Sequence, residues 1–126
     1  ITPRPKVLLL STGSLSYEAL LAARALKSDG IDVTLIHSPT VKPLDEDRIV
    51  PAARLAGRVV TIEEHQSMGG FGSAVAELLG ETSPVPMRRI GVRDMFGQSG
   101  TPEELYEHYE LDSHAIAEAA RRLIGA

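Results

Sequence analysis

The residues best suited to chemistry fall in one run, Glu63, Glu64 and His65, followed by a glycine-rich turn at Gly69, Gly70 and Gly72. Adjacent residues of an extended chain point to opposite sides, so Glu63 and His65 can share a face while Glu64 turns away. A carboxylate beside an imidazole is a pairing used for general acid–base work. The plainer reading is structural: a histidine at a strand end, bonded to a carboxylate, holding a loop or a subunit contact. With no nucleophile or metal partner beside them in sequence, the structural reading is the stronger.

The glycines raise the question of phosphate. Gly70 and Gly72 resemble the start of a dinucleotide loop, but the third required position is Val75. The connection over residues 63–69 is also too long for the tight turn of that fingerprint, and no Walker lysine follows a glycine pair. A generic anion on the amides of Gly70, Gly72 and Ser73 remains physically open, because helix amino ends attract anions whatever the motif. The competing explanation, close packing permitted by absent side chains, is favoured.

Other chemistries find less support. His37, His65, His108 and His114 lie on four different predicted elements, without the i, i+4 spacing of a helical zinc site. No G-x-S-x-G elbow is present. A phospho-receiver needs acidic residues at the end of its first strand, where this chain has Ser11, Thr12 and Gly13. Arg88, Arg89 and Arg93 can hold a phosphate or an acidic partner. More commonly such arginines are solvated or paired with a nearby acid such as Asp94.

These residues need elements to position them. Val59, Val60 and Ile62 form a β-branched apolar run, the pattern of a strand buried on both faces. Phe71, Val75, Leu78 and Leu79 then follow the period of a core-facing helix ending near Gly80. Earlier, residues 6–11 read as a buried strand. A helix over 15–28 follows, capped by Ser14 or Ser16, with Leu15, Ala19, Ala22 and Leu26 inward and a left-handed stop at Gly30. Residues 32–37 are a second strand. Asp45 can cap a short helix to Ala56 that Pro51 is expected to kink or split. Residues 86–92 form a fourth strand, weakened by two arginines. Thr101, Pro102 and Glu104 make a capping box. A separate last helix begins after Tyr109, capped by Asp112, with Leu111 stapled onto Ile116, and Ile116, Ala120, Leu123 and Ile124 inward. Four strands alternating with helices predict an α/β fold with a parallel sheet covered on both faces.

Totals bound the rest. A chain of 126 residues, 43% hydrophobic and 24% charged, is one globular domain over residues 1–126. The absence of cysteine excludes disulfides and thiolate metal sites and fits a reducing compartment. A net charge of −4 without a basic cluster argues against nucleic acid. No apolar run is long enough for a membrane span, and no signal peptide opens the chain. It begins at Ile1 rather than Met, and so reads as a piece of a longer polypeptide.

Four segments, LLLSTGS, GIDVTLIHSPTVKPLDED, VVTIEEHQSMGGFGSAVAELL and RRIGVRDMFGQSGTPEELYEHY, occur in order between residues 8 and 109, within a likeness that covers residues 6–123. Together they resemble the C-terminal domain of transketolase-type thiamine diphosphate enzymes. Transketolase and the small subunit of a split, two-chain transketolase resemble the chain best. Deoxyxylulose-phosphate synthases and the β subunits of 2-oxo acid dehydrogenases are rivals. The resemblance implies three α/β/α layers around a mainly parallel four-stranded sheet of order 2-1-3-4. The family's preceding antiparallel edge strand is not fully contained, which leaves the strand from Asp32 as an exposed edge. The implied switch point gathers Thr12, Gly13, Ser14, His65, Gly69 and Gly70 around one crevice, with Gly72 and Ser73 beside it.

In function, the resemblance implies a cytoplasmic enzyme transferring a two-carbon ketol unit between sugar phosphates. Thiamine diphosphate and magnesium would lie between two other domains at a dimer interface. The glycine-aspartate motif and the glutamate-bearing domain that serve the cofactor are absent here, so no catalytic, cofactor-binding or metal residue carries over. The implied partners are the remaining domains, or a large subunit, and a second copy of the parent. A freestanding ligand-binding or protein-interaction module is the alternative from another class.

Overall fold

The computed structural model describes residues 5–12, 16–38, 44–63, 70–91 and 102–125 of the chain. Eight elements alternate: β1 (Val7–Thr12), α1 (Ser16–Ser28), β2 (Val33–Ser38), α2 (Glu46–Ala56), β3 (Val59–Glu63), α3 (Phe71–Thr82), β4 (Met87–Gly91) and α4 (Pro102–Gly125). The strands form one four-stranded sheet in the order β2-β1-β3-β4. Every pairing is parallel. This is the predicted architecture and order.

The central strands explain why the sheet sits inside. Val7, Leu8, Leu9 and Leu10 of β1 are fully buried, so consecutive residues feed two cores on opposite faces. Val7 and Leu9 join Val60, Ile62, Ala19, Ala22 and Leu26, beneath Ile116, Ala117 and Ala120 of α4. Leu8 and Leu10 join Val59, Ile49, Ala53, Phe71, Val75 and Leu79, beneath α2 and α3. Each fully buried aliphatic side chain contributes on the order of 1.5–3 kcal/mol. The helix after β1 and the helix after β3 therefore lie on opposite faces, and β1 and β3 are neighbours. Such a divergence at a carboxyl edge is the topological switch point of an open parallel sheet.

Helix ends follow local rules with three corrections. Gly30 and Gly57 take φ of 79° and 76°, the left-handed region that a Cβ penalises, and close α1 and α2. Asp45 occupies the cap position of α2 but its side chain makes no cap bond. Its carboxylate instead lies 3.8 Å from Arg48. Pro51 does not split α2, which is one helix through it. Pro51 and Asp47, whose carbonyl loses its helical donor, are both exposed, so water can take that bond. The two helices expected near the C-terminus are one continuous α4, with Asp112 in its interior rather than at a cap. No glycine or proline interrupts residues 103–124, and the inward stripe at Ile116, Ala117 and Ala120 holds the second half to the sheet. The Thr101 cap and the Leu111 staple lie outside the described residues and side chains. Helix α3 runs past Gly80 to Thr82, whose hydroxyl donates to the Leu78 carbonyl at 2.8 Å.

Two ties hold the helices together. Arg121 of α4 donates to the Asp29 carboxylate at 2.7 Å and 3.0 Å, joining the carboxyl ends of α1 and α4. Arg54 of α2 donates to the Thr82 carbonyl at 3.3 Å.

Candidate functional site

Strand alternation decides which polar groups reach the carboxyl-end crevice. Val59 joins the core beneath α2 and α3, and the period of two brings Thr61 and Glu63 to that same face. Val60 and Ile62 go to the other side. Helix α3 begins eight residues after Glu63, directly over this line of side chains.

Glu63 is 6% exposed. Its Oε2 accepts the backbone N–H of Gly72 at 2.9 Å, in the first turn of α3. A carboxylate at that place satisfies an amide with no helical partner and lies at the positive end of the helix dipole. Gly70 is the extended residue before the helix and makes no side-chain cap. The strand thus caps the helix that follows it, using a side chain that sequence spacing had paired with His65.

Gly72 has a steric requirement of its own. A Cβ there would stand 2.7 Å from Cδ of Arg89, 2.7 Å from Oε2 of Glu63 and 3.0 Å from Oγ1 of Thr61. The first two contacts are closer than a Cβ makes and the third is tight, so absence of a side chain lets α3 seat against β3 and β4. Arg89 runs over this point from β4 and donates from Nη1 to the Ser73 hydroxyl at 2.7 Å. Thr61 is fully buried and its Oγ1 has no hydrogen-bond partner.

On the opposite face, Ser11 and His37 are register partners at the ends of β1 and β2. The buried Ser11 hydroxyl lies 3.3 Å from Nδ1 of the exposed His37. Glu18, in the first turn of α1, is also buried, with Oε2 unpartnered. Composition alone gave no signal for Ser11, Glu18 or Thr61, because burial of single polar residues depends on tertiary placement.

Among the residues assigned to the crevice from sequence, Thr12, Gly70, Gly72 and Ser73 are described. Thr12 ends β1, half-buried, while Gly70, Gly72 and Ser73 form the start of α3. Gly13, Ser14, His65 and Gly69 lie outside the described residues, as do Glu64, Arg93 and Asp94. Arg89 donates to the Ser73 hydroxyl, and Arg88 is exposed. Among the described residues, no three His, Asp or Glu side chains gather as a metal site would require. No helix among them is long and apolar enough to cross a membrane.

Comparison with known proteins accords with this geometry. Residues 1–116 match the family described as the transketolase C-terminal domain. The 6-deoxy-6-sulfo-D-fructose transketolase subunit SqwH of a Clostridium species (strain MSTE9) is 45% identical over 117 residues, covering 93% of this chain and 36% of that protein. The 1-deoxy-D-xylulose-5-phosphate synthase of Trichormus variabilis is 47% identical over 113 residues, covering 89% of this chain and 18% of the synthase. Among solved structures, one titled as a split-gene transketolase, inactive beta4 tetramer, superposes with a TM-score of 0.84 at 39% identity. That match covers 98% of this chain and 40% of the other. The chain therefore spans about a third of the Clostridium transketolase subunit and under a fifth of the synthase. On a family match over residues 1–116 and an all-parallel sheet of the implied order, the chain belongs to the transketolase C-terminal domain family.

Proposed function

We propose that this chain is the C-terminal domain of a transketolase-type enzyme that moves a two-carbon ketol unit between sugar phosphates. Its own task is assembly: it supports the parent dimer and the domains or large subunit that carry the catalytic centre. The observation that carries this reading is the close superposition on a split-gene transketolase at 39% identity over 98% of the chain. The 45% identity to a subunit of a sulfosugar transketolase supports the same reading.

Thiamine diphosphate and magnesium supply the carbon–carbon bond chemistry in such an enzyme. The described residues do not fit that group. They bring together no set of carboxylates and imidazoles for a divalent cation. The first-turn amide of α3 best placed for a diphosphate oxygen already serves Glu63. No catalytic step is assigned to this chain. The crevice at Thr12, Gly70 and Ser73 is instead a place for a neighbouring domain or an anionic regulator to touch the sheet's carboxyl edge.

A second reading has its own support, since the synthase of Trichormus variabilis is 47% identical. Assay of the parent enzyme separates the two. Ketol transfer from a ketose phosphate to an aldose phosphate, without turnover of pyruvate, is the expected result. Condensation of pyruvate with glyceraldehyde 3-phosphate would overturn it in favour of the synthase. In either enzyme, removal of this domain is expected to abolish assembly and activity together, and an assembled, active remainder would contradict the proposed role.

A further inference from the structure

The amino end of α3 has the donors of an oxyanion site and an internal occupant. The N–H of Gly72 points at Glu63 Oε2 across 2.9 Å. The point above Gly72 that a Cβ would fill is 2.7 Å from that oxygen and 3.0 Å from Thr61 Oγ1. Thr61 is fully buried, yet its hydroxyl has no partner. An unpartnered buried hydroxyl is a costly arrangement, and here it borders the space that the carboxylate enters. The carbon chain of Arg89 closes the same space from β4 while its guanidinium is turned to Ser73. The Glu63 carboxylate thus meets one amide donor and the positive end of a twelve-residue helix, with the Thr61 hydroxyl beside Gly72.

We infer that Glu63 is a built-in anion occupying a carboxylate-sized site at the start of α3, and that this occupancy keeps the Gly72 amide from external oxyanions. The site is latent: it binds a small carboxylate once the Glu63 side chain is removed. The chemistry sets the ligand. Truncation of Glu63 to alanine deletes a methylene and a carboxylate, and acetate replaces those groups nearly atom for atom.

The test uses the 126-residue chain as wild type, Glu63→Ala and Glu63→Gln, in sodium acetate and in sodium chloride of equal ionic strength. For wild type, the thermal midpoint and the Gly72 amide resonance are expected to be the same in both salts. For Glu63→Ala, chloride should lower the midpoint by several degrees. Acetate should restore much of that loss saturably and return the Gly72 amide toward its wild-type position. Glu63→Gln keeps the side chain in place, and no recovery by acetate is expected. Saturable movement of the wild-type Gly72 amide in acetate would overturn the inference, because the site would then be open. A folded Glu63→Ala chain indifferent to acetate would also overturn it. If Glu63→Ala folds in neither salt, wild type decides through the scalar coupling across the hydrogen bond between Gly72 N and the Glu63 carboxyl carbon. Its presence with an acetate-insensitive Gly72 amide supports the inference; its absence in the folded chain overturns it.

Discussion

Gly72 and Gly80 sit in the same helix and answer to different physics. At Gly72 a methyl group would be forced against Arg89, Glu63 and Thr61, whereas at Gly80 nothing lies within 4 Å. Overpacking of this kind costs about 1–3 kcal/mol, so Gly72→Ala should lower stability by that amount in urea unfolding. Gly80→Ala should raise it by up to about 1 kcal/mol, since alanine is the better helix former in an open position. Equal effects from the two substitutions would show that the close approach of α3 to β3 and β4 is not what holds Gly72. The glycine cluster was visible in the sequence, and close packing was the favoured account of it. Its agents were not visible: Arg89 lies seventeen residues further on, and only strand pairing brings it over Gly72. For the same reason spacing gave no sign that the Glu63 carboxylate accepts an amide nine residues away, while His65 lies outside the described residues.

At the scale of elements, β3 and α3 form the unit that the rest packs around. Val60 and Val75 are fully buried but belong to different cores, on opposite faces of the sheet. Val60→Ala and Val75→Ala should each cost on the order of 1–3 kcal/mol, as removal of buried methyl groups does. Because the two sites share no cluster, the double variant should equal the sum of the singles within about 0.5 kcal/mol by chemical denaturation. A large departure from that sum would mean that the sheet transmits strain between its faces. The Arg121–Asp29 pair is a weaker tie, with side chains 37% and 49% exposed. Arg121→Ala should therefore cost only about 0.2–1 kcal/mol, an effect that high salt erases. Boundaries of the strands were legible to within a residue because β-branched runs end in polar or glycine residues. The continuity of α4 was not legible. The Leu111, Asp112 and Ser113 sequence offers a plausible cap, and only packing of the following stripe against the sheet decides for one helix.

At the scale of the molecule, alternation of strands and helices was enough to require a parallel sheet with two covered faces. The order of the strands was not derivable from periodicity; it came from the family resemblance, and the pairings bear it out. The same switch point then locates the crevice at the carboxyl edge, where β1 and β3 part into helices on opposite faces. A chain spanning about a third of a transketolase subunit has a two-faced core, yet its described residues gather no metal-ligand cluster, and the Gly72 amide at the start of α3 already serves Glu63. The role proposed for it is to hold an enzyme together. The most direct test is a calorimetric titration of the 126-residue chain with thiamine diphosphate and magnesium. No saturable heat is expected, because the proposed function leaves the cofactor to other parts of the parent. Saturable binding at a single site would contradict it and make the crevice beside Gly70 and Gly72 a cofactor site.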